Sequence, residues 1–320
     1  MRILITGING FAGSHLVDFI RKEHPEAKIH GLVRRESSMV NLQATKDFLT
    51  LHIGELTRQS SLESIVQLSE PDLIFHFAGQ PIADTKFADS VSTMESNLIG
   101  TVNLLEAVKA SNYDPIIVIV SSSNVYGIVK EEDLPQVEDR SVSPASPYAL
   151  SKASCELAAV MYTKTYGLKC VISRSFNHSG PRRPRSYVDS SFAYQVAQIT
   201  NQRIPPRITV GNLDAIRSFT DVRDMVRGYW LLAQTGVPGE IYNIGNPGAV
   251  RIKDMLDMIL KISDFEGSIE VVQDPKLLRK IEVPCLVPCI KKFEAISEWK
   301  PTIPYETTLR DMYEYWKKRA

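Results

Sequence analysis

Cysteine is scarce in this chain and falls in no metal or redox pattern. Cys155, Cys170, Cys285 and Cys289, the four among 320 residues, lack the spacing of a zinc site or a CxxC pair, and a chain of this length needs no disulfide staples. A reducing cytoplasm is the expected compartment, and no metal site is expected. Net charge is missing as well, since 37 basic residues cancel 37 acidic ones and no basic tract stands out. That excludes nucleic acid and anionic membrane as partners attracted by charge, so an anionic ligand would have to be held by a few local arginines. No apolar run approaches the roughly 18 residues of a membrane span. The N-terminal MRILITG runs straight into a strand, without the apolar core and cleavage site of a secretory signal. A soluble, unexported protein is the expectation.

What is present is a rhythm. RILIT, KIHGLV, LTLHI, DLIFHFA, PIIVIVSS and KCVISRS are short β-branched runs, and residues 12–23, 59–69, 94–111 and 148–166 between them show helical spacing. Alternation of that kind predicts parallel strands joined by helical crossovers. From about Pro181 it breaks into the proline-bearing stretch PRRPRSYVD, and shorter strands mix with helices beyond it. We read residues 1–175 as a nucleotide-binding sheet and 176–320 as a smaller lobe closing over a substrate, with some segments returning to the first domain.

LITGINGFAGSHL sets Gly7, Gly10 and Gly13 between the first strand and the first helix, with Phe11 among them. Glycine is needed where a turn is tight and where backbone approaches a pyrophosphate, and a helix start offers free N–H groups to that phosphate. The second strand ends in Arg34 and Arg35, where an enzyme that uses NAD would carry an acid for the ribose hydroxyl. Arginine there suits a 2′-phosphate, so NADP(H) is the preferred cofactor and NAD(H) the alternative. Glu55 and Leu56 in HIGELT, and Ala78, Gly79 and Gln80 in FHFAGQ, sit at later strand ends where adenine and cofactor ribose would lie.

In ASPYALSK, Ser146 can cap a helix that begins at Pro147, placing Tyr148 and Lys152 one turn apart on one face. A lysine near a phenol favours the phenolate and draws its ordinary pKa of about 10 toward neutrality, which makes an acid or base. Ser122, at the end of the strand PIIVIVSS, is placed to hydrogen-bond a reacting oxygen.

Taken in order, TGINGFAG, FHFAGQ, NLIGT from Asn97 to Thr101, SSSNVYG, PYALSK and RSFNHSGP cover almost the whole chain and resemble the extended short-chain dehydrogenase/reductases that act on nucleotide sugars. That resemblance implies a modified Rossmann fold: an α/β, doubly wound parallel sheet with a smaller C-terminal α/β substrate lobe. It implies Ser122, Tyr148 and Lys152 as the catalytic triad, with Lys152 and Tyr148 also against the cofactor and Asn97 supporting the lysine or the cofactor. It further implies that backbone near Asn177–Ser179 meets the nicotinamide amide. The C-terminal half, with FNHSGPRR, VGNLDAIRSFTDVRDMVRGYW and DPKLLRKIEVPCLVPCIKKF, is similar to the enzymes of GDP-6-deoxyhexose synthesis. By that likeness the substrate is a GDP-sugar met by Ser123, Asn124, Asn177, Val210, Arg217, Arg279 and Glu282, with Arg217 on the diphosphate and Arg279 with Glu282 at the nucleotide end. Lys280 departs from the proline that such enzymes carry.

The likeness also sharpens the reading of Asn124. In 4,6-dehydratases a carboxylate stands there to move protons for the loss of water, and an amide cannot do this at neutral pH. NADPH-dependent reduction of the C4 ketone of a GDP-4-keto-6-deoxyhexose is therefore the expected activity, with 4,6-dehydration of GDP-mannose and nucleotide-sugar 4-epimerisation as alternatives. His76, inside an apolar strand, reads as a core histidine with a backbone partner, and His178 as a loop residue lining the site. Arg182, Arg183 and Arg185 of PRRPR read equally as a lid over phosphates or a solvated loop. Helix 148–166 carries apolar residues on too many faces for one stripe. The family likeness then implies a homodimer with a four-helix interface formed with the helix near 94–110.

Overall fold

The computed structural model describes residues 1–35, 37–80, 90–263, 265–278 and 286–319. Arg279, Lys280, Glu282 and Cys285 lie outside the described residues. In chain order the first half runs β1 (Arg2–Thr6), α1 (Phe11–Glu23), β2 (Lys28–Val33), β3 (Leu49–Ile53), α2 (Gln59–Ser69), β4 (Leu73–His76), α3 (Ser90–Met94), α4 (Gly100–Lys109), β5 (Ile116–Ser122), α5 (Pro147–Tyr166) and β6 (Lys169–Ser175). The second half runs β7 (His178–Ser179), α6 (Val188–Thr200), β8 (Arg207–Val210), β9 (Ile216–Arg217), β10 (Thr220–Asp221), α7 (Val222–Thr235), β11 (Ile241–Ile244), β12 (Val250–Arg251), α8 (Ile252–Ile262), β13 (Glu270–Gln273), α9 (Lys291–Ser297) and α10 (Tyr305–Lys317).

Seven strands form one sheet in the order β11-β6-β5-β4-β1-β2-β3, each pair parallel. Most of these parallel strands are joined by helical crossovers, which cover both faces, so the central strands must be apolar on both sides. β1 shows it: Ile3 and Ile5 enter one core with Leu16 and Val17 of α1 and Met225 and Tyr229 of α7. Leu4 between them enters the opposite core with Leu62 of α2, Leu104 of α4 and Ala159 of α5. The chain order reverses between β1 and β4, which opens a crevice at the carboxyl ends of these strands, where such sheets bind ligands.

The helical expectations stand, with one exception inside residues 94–111. There α3 passes into a π-helical stretch, Glu95–Ile99, before α4 resumes. The widened turn falls on Asn97, a buried residue.

β11 returns late in the chain to the sheet edge, with Tyr242 opposite Ser173 of β6, and α7 packs against α1. A separate core unites α6, α8 and α10 through Phe192, Val196, Met255, Ile259, Leu309 and Met312. On α8 the buried residues Ile252, Met255, Leu256, Ile259 and Ile262 recur at helical spacing. Beside this core, β8 pairs with β13 and β9 with β12, while β7 pairs with β10. No described helix is long and apolar enough to cross a membrane, and Cys155, Cys170 and Cys289 are free thiols.

Candidate active site

The turn after β1 is built by close approach. Gly7 has φ +70°, and a Cβ there would lie 2.8 Å from the Ala78 amide nitrogen. A Cβ on Gly13 would lie 2.4 Å from the Gly7 carbonyl oxygen. Both contacts are shorter than any side chain tolerates, so the turn folds tightly across the end of β4 and leaves the start of α1 facing the crevice. Gly10 closes it, its N–H donating to the Gly7 carbonyl at 3.0 Å. Phe11 stacks on His178 at 5.6 Å and meets His15 edge-on at 5.6 Å, so it holds the 178–181 loop over the helix start.

The end of β4 is tied to both neighbours by a directed chain of hydrogen bonds. Thr101 gives its one proton to the Asn97 carbonyl at 2.6 Å, so it receives from His76 Nε2 at 3.0 Å. His76 Nδ1 then accepts from Thr6 Oγ1 at 2.8 Å, and Thr6 Oγ1 accepts the Ala78 N–H at 3.2 Å. His76 is a core histidine, though its partners are two threonine hydroxyls rather than backbone. Burial, helped by the charge of Lys152, lowers its pKa to about 3, and with both nitrogens occupied it is no general base. Asn97 Oδ1 accepts the Gln80 N–H at 2.6 Å, and Nδ2 donates to Ser151 Oγ at 2.9 Å. A methyl on Gly79 would come within 2.7 Å of Asn97 Oδ1 and 3.9 Å of Lys152 Nζ. Asn97 thus supports the Gly79–Gln80 turn and α5, with no direct bond to the lysine.

Ser146 caps α5, accepting the Ala149 N–H at 3.1 Å, with Pro147 in the first turn. Lys152 is 8% exposed, and its Nζ donates to the Val120 carbonyl of β5 at 2.8 Å. Burial draws its ammonium below the ordinary value, against the opposing pull of Cys155 and Glu156. Tyr148 keeps part of its surface open, yet burial of its phenol is the leading effect and pushes it above its usual pKa, with a hydrogen bond from Ser122 acting the other way. This corrects the expectation that the lysine draws the phenol toward neutrality. Desolvation is the dominant effect, and it favours the protonated phenol. Ser122 and Ser123 are buried at the end of β5. Asn124, on the following 3₁₀ turn, donates to Ser122 Oγ from its Nδ2 at 3.0 Å. Among the described residues, no carboxylate hydrogen-bonds Ser122, Asn124 or Tyr148.

Other positions divide cleanly. Arg34 and Arg35 are exposed at the end of β2, and neither has an acidic partner among the described residues. The segment beyond them is pinned to the glycine turn, as Asn9 Nδ2 donates to the Ser38 carbonyl and Asn41 Nδ2 to the Asn9 carbonyl, each at 3.0 Å. Glu55 is exposed and Leu56 half-buried, with the Leu56 carbonyl held by Asn103 at 2.9 Å. Asn177 is half-buried, its carbonyl accepting the Thr220 N–H at 3.0 Å. The Val210 side chain is 2% exposed in the lobe's core, which leaves backbone as what it can offer a ligand. Arg217 lies on β9 and donates from Nη1 to the Ile216 carbonyl at 2.8 Å.

Of the PRRPR arginines, Arg182 and Arg183 are tied down by ion pairs, while Arg185 is exposed. Arg182, at φ 72°, pairs with Asp18 of α1 at 2.7 Å. Arg183 is 5% exposed, pairs with Asp189 at 2.9 Å and lies over the Tyr187 ring at 4.4 Å. Arg185 lies over Tyr194 at 4.6 Å. His178 Nδ1 bonds the Phe176 carbonyl at 3.1 Å, and burial lowers its pKa to about 4, with Arg183 adding to the effect.

The glycine cradle, the exposed helix start and the hydroxyls of two strand ends and one helix fit a dinucleotide with a reactive carbonyl beside it. Comparison with known proteins agrees. A family model described as GDP-mannose 4,6 dehydratase matches residues 4–312. The chain is 30% identical over 325 residues to GDP-6-deoxy-D-mannose reductase of Pseudomonas aeruginosa, with 100% of this chain and 98% of that protein covered. It is 28% identical to GDP-mannose 4,6 dehydratase 1 of Arabidopsis thaliana, covering 97% of this chain and 88% of that one. A solved structure titled RMD from Pseudomonas aeruginosa complexed with NADPH superposes with a TM-score of 0.87 at 29% identity, each chain covered in full.

Proposed function

The chain belongs to the GDP-mannose 4,6 dehydratase family, nucleotide-sugar enzymes of the extended short-chain dehydrogenase/reductase type, and from that premise we propose that it reduces the C4 ketone of a GDP-4-keto-6-deoxyhexose, GDP-4-keto-6-deoxy-D-mannose first among them, to a GDP-rhamnose-type product. One observation carries the reading: the strand end that holds Ser122 presents the amide of Asn124, and among the described residues no carboxylate hydrogen-bonds Ser122, Asn124 or Tyr148. Loss of water from C5 and C6 needs a titratable group at that place, which an amide is not, whereas reduction of a ketone needs only the Tyr148 proton and a hydride.

NADPH is the proposed cofactor, with NADH the alternative, and when bound it supplies the hydride that reaches C4. Gly7, Gly10 and Gly13 would let its pyrophosphate approach the start of α1, and the exposed guanidinium groups of Arg34 and Arg35 suit its 2′-phosphate. Glu55, Leu56 and Ala78–Gln80 would border its adenine and ribose. Ser122 donates a hydrogen bond to the ketone oxygen, Tyr148 gives that oxygen its proton as negative charge develops there, and the Lys152 ammonium stabilises the phenolate left behind. Ser123, Asn177, the backbone at Val210, and Arg217 are the proposed substrate contacts, the arginine suiting a diphosphate, while the Asn124 amide is taken up by Ser122.

A homodimer is proposed with this activity. Leu150, Leu157 and Met161 on α5 are 48%, 69% and 43% exposed, and Ile99 beside α4 is 45% exposed. That surface supports pairing of α5 and α4 with their counterparts in a four-helix interface. The proposed division into a cofactor domain, residues 1–175, and a substrate lobe assigns α7 and β11 back to the first.

The test is product analysis. With GDP-4-keto-6-deoxy-D-mannose, one NADPH should be oxidised per sugar reduced. GDP-mannose with a trace of NADP⁺ should be returned unchanged. A 4-keto-6-deoxy product from GDP-mannose would overturn the reading in favour of the dehydratase, and sugar interconversion without net NADPH oxidation would do so in favour of an epimerase.

A further inference from the structure

The Ser122 hydroxyl has one proton to give and two lone pairs to fill. Both lone pairs are met by the residue two positions on: the Asn124 backbone N–H donates at 3.2 Å and its side-chain Nδ2 at 3.0 Å. The geometry is rigid. Ser122 is extended, at φ −144° and ψ 145°, and caps the 3₁₀ turn Ser123–Tyr126, Gly127 N–H closes that turn on the Asn124 carbonyl at 3.0 Å, and Tyr126 anchors it to Asn243 at 2.7 Å. A hydroxyl with both lone pairs occupied can only donate, and Tyr148 is the group it reaches.

From this count we infer that Asn124 is a positioning residue, whose amide N–H fills the second lone pair of Ser122 Oγ and commits the serine proton to the reacting oxygen beside Tyr148. An ionised aspartate of the same size can only accept, so it would turn the Ser122 proton toward itself. The nature of residue 124 therefore sets the direction of the strand-end hydrogen bond, separately from any part it plays in moving protons to and from the sugar. The consequence for turnover rests on the reductase reading; the orientation of Ser122 does not.

A double-mutant cycle tests it. Asn124→Ala should lower kcat for the ketone about tenfold with little change in KM, the size of one neutral hydrogen bond, and should cost nothing further in a Ser122→Ala background. Independent, multiplying losses would overturn the inference. Asn124→Asp should work at low pH, where the acid proton replaces the amide as donor, and lose activity as pH rises through that carboxyl's titration, a step absent from the native enzyme; a profile like the native one would also overturn it. A third arm needs no turnover: the Tyr148 Cζ resonance of ¹³C-tyrosine-labelled protein, assigned with Tyr148→Phe, should shift alike in Asn124→Ala and Ser122→Ala. An unmoved resonance in Asn124→Ala would sink the inference, whereas a matched shift in a protein that reduces no ketone would sink the reductase reading and leave the orientation of Ser122 standing.

Discussion

Glu156 holds Arg174 in a buried ion pair, Oε2 to Nη2 at 2.9 Å with side chains 4% and 5% exposed, and Ser121 adds its hydroxyl to Oε1 at 2.6 Å. Glu156 lies one turn beyond Lys152 on α5, and Arg174 sits opposite Ser121 on β6. The pair thus clamps the strand end bearing Ser122 to the helix bearing Tyr148 and Lys152. Arg174→Met should leave a buried carboxylate short of its charge partner and cost about 3–5 kcal/mol, read from urea unfolding, while Glu156→Leu/Arg174→Met should recover most of it. A double variant no more stable than Arg174→Met would contradict this.

Gly13→Val should abolish dinucleotide binding. Its Cβ would stand 2.4 Å from the Gly7 carbonyl oxygen, so the turn must open and the start of α1 move. Titration of NADPH fluorescence should show no saturation, where a Lys28→Ala control at the far end of the sheet binds normally.

Tyr148→Phe keeps the ring and removes the proton. NADPH affinity should be unchanged and kcat should fall by about 10²–10⁴, the range of a lost general acid. Residual turnover within tenfold of the native rate would mean that another group delivers the proton.

The protein should lose stability in mild acid through His76. Its folded pKa of about 3 lies below the ordinary 6.5, so the unfolded chain takes up a proton that the folded one refuses. The contribution is fully present above pH 6.5 and declines as pH falls toward 3, by on the order of 3 kcal/mol at pH 4. Chemical denaturation from pH 7.5 to 4 should show this slope, and His76→Asn should flatten it even where its stability at pH 7.5 is lower.

Leu157→Glu places a charge at the most exposed apolar residue of α5, 69% accessible. Sedimentation should find the native protein as a dimer and this variant as a monomer. A native monomer would remove the proposed four-helix interface.

Much of this architecture was legible beforehand because its signals are local. The strands RILIT and KCVISRS appear as β1 and β6, the helix over 59–69 as α2, and the Ser146 cap with Pro147 opens α5. A run of β-branched residues, a capping serine and a glycine between strand and helix state their conformations within a few positions. The π-helical stretch at Asn97 was not legible, because its cause is distant: the side chain must reach Gln80 and Ser151 at once. Arg182 escaped for a similar reason, since its partner Asp18 is far away in the chain.

The chain's own order of residues determined the alternating fold, the glycine turn and the spacing of Tyr148 and Lys152 on one helical face. Only the tertiary structure decided which way burial pushes the titration of each member of that pair, because desolvation depends on everything packed around a group and has no counterpart along the chain. It also decided that His76 is spoken for by Thr6 and Thr101, and that the amide of Asn124 points at Ser122. A hydrogen bond's direction is a property of its full set of partners, and folding is what assembles that set.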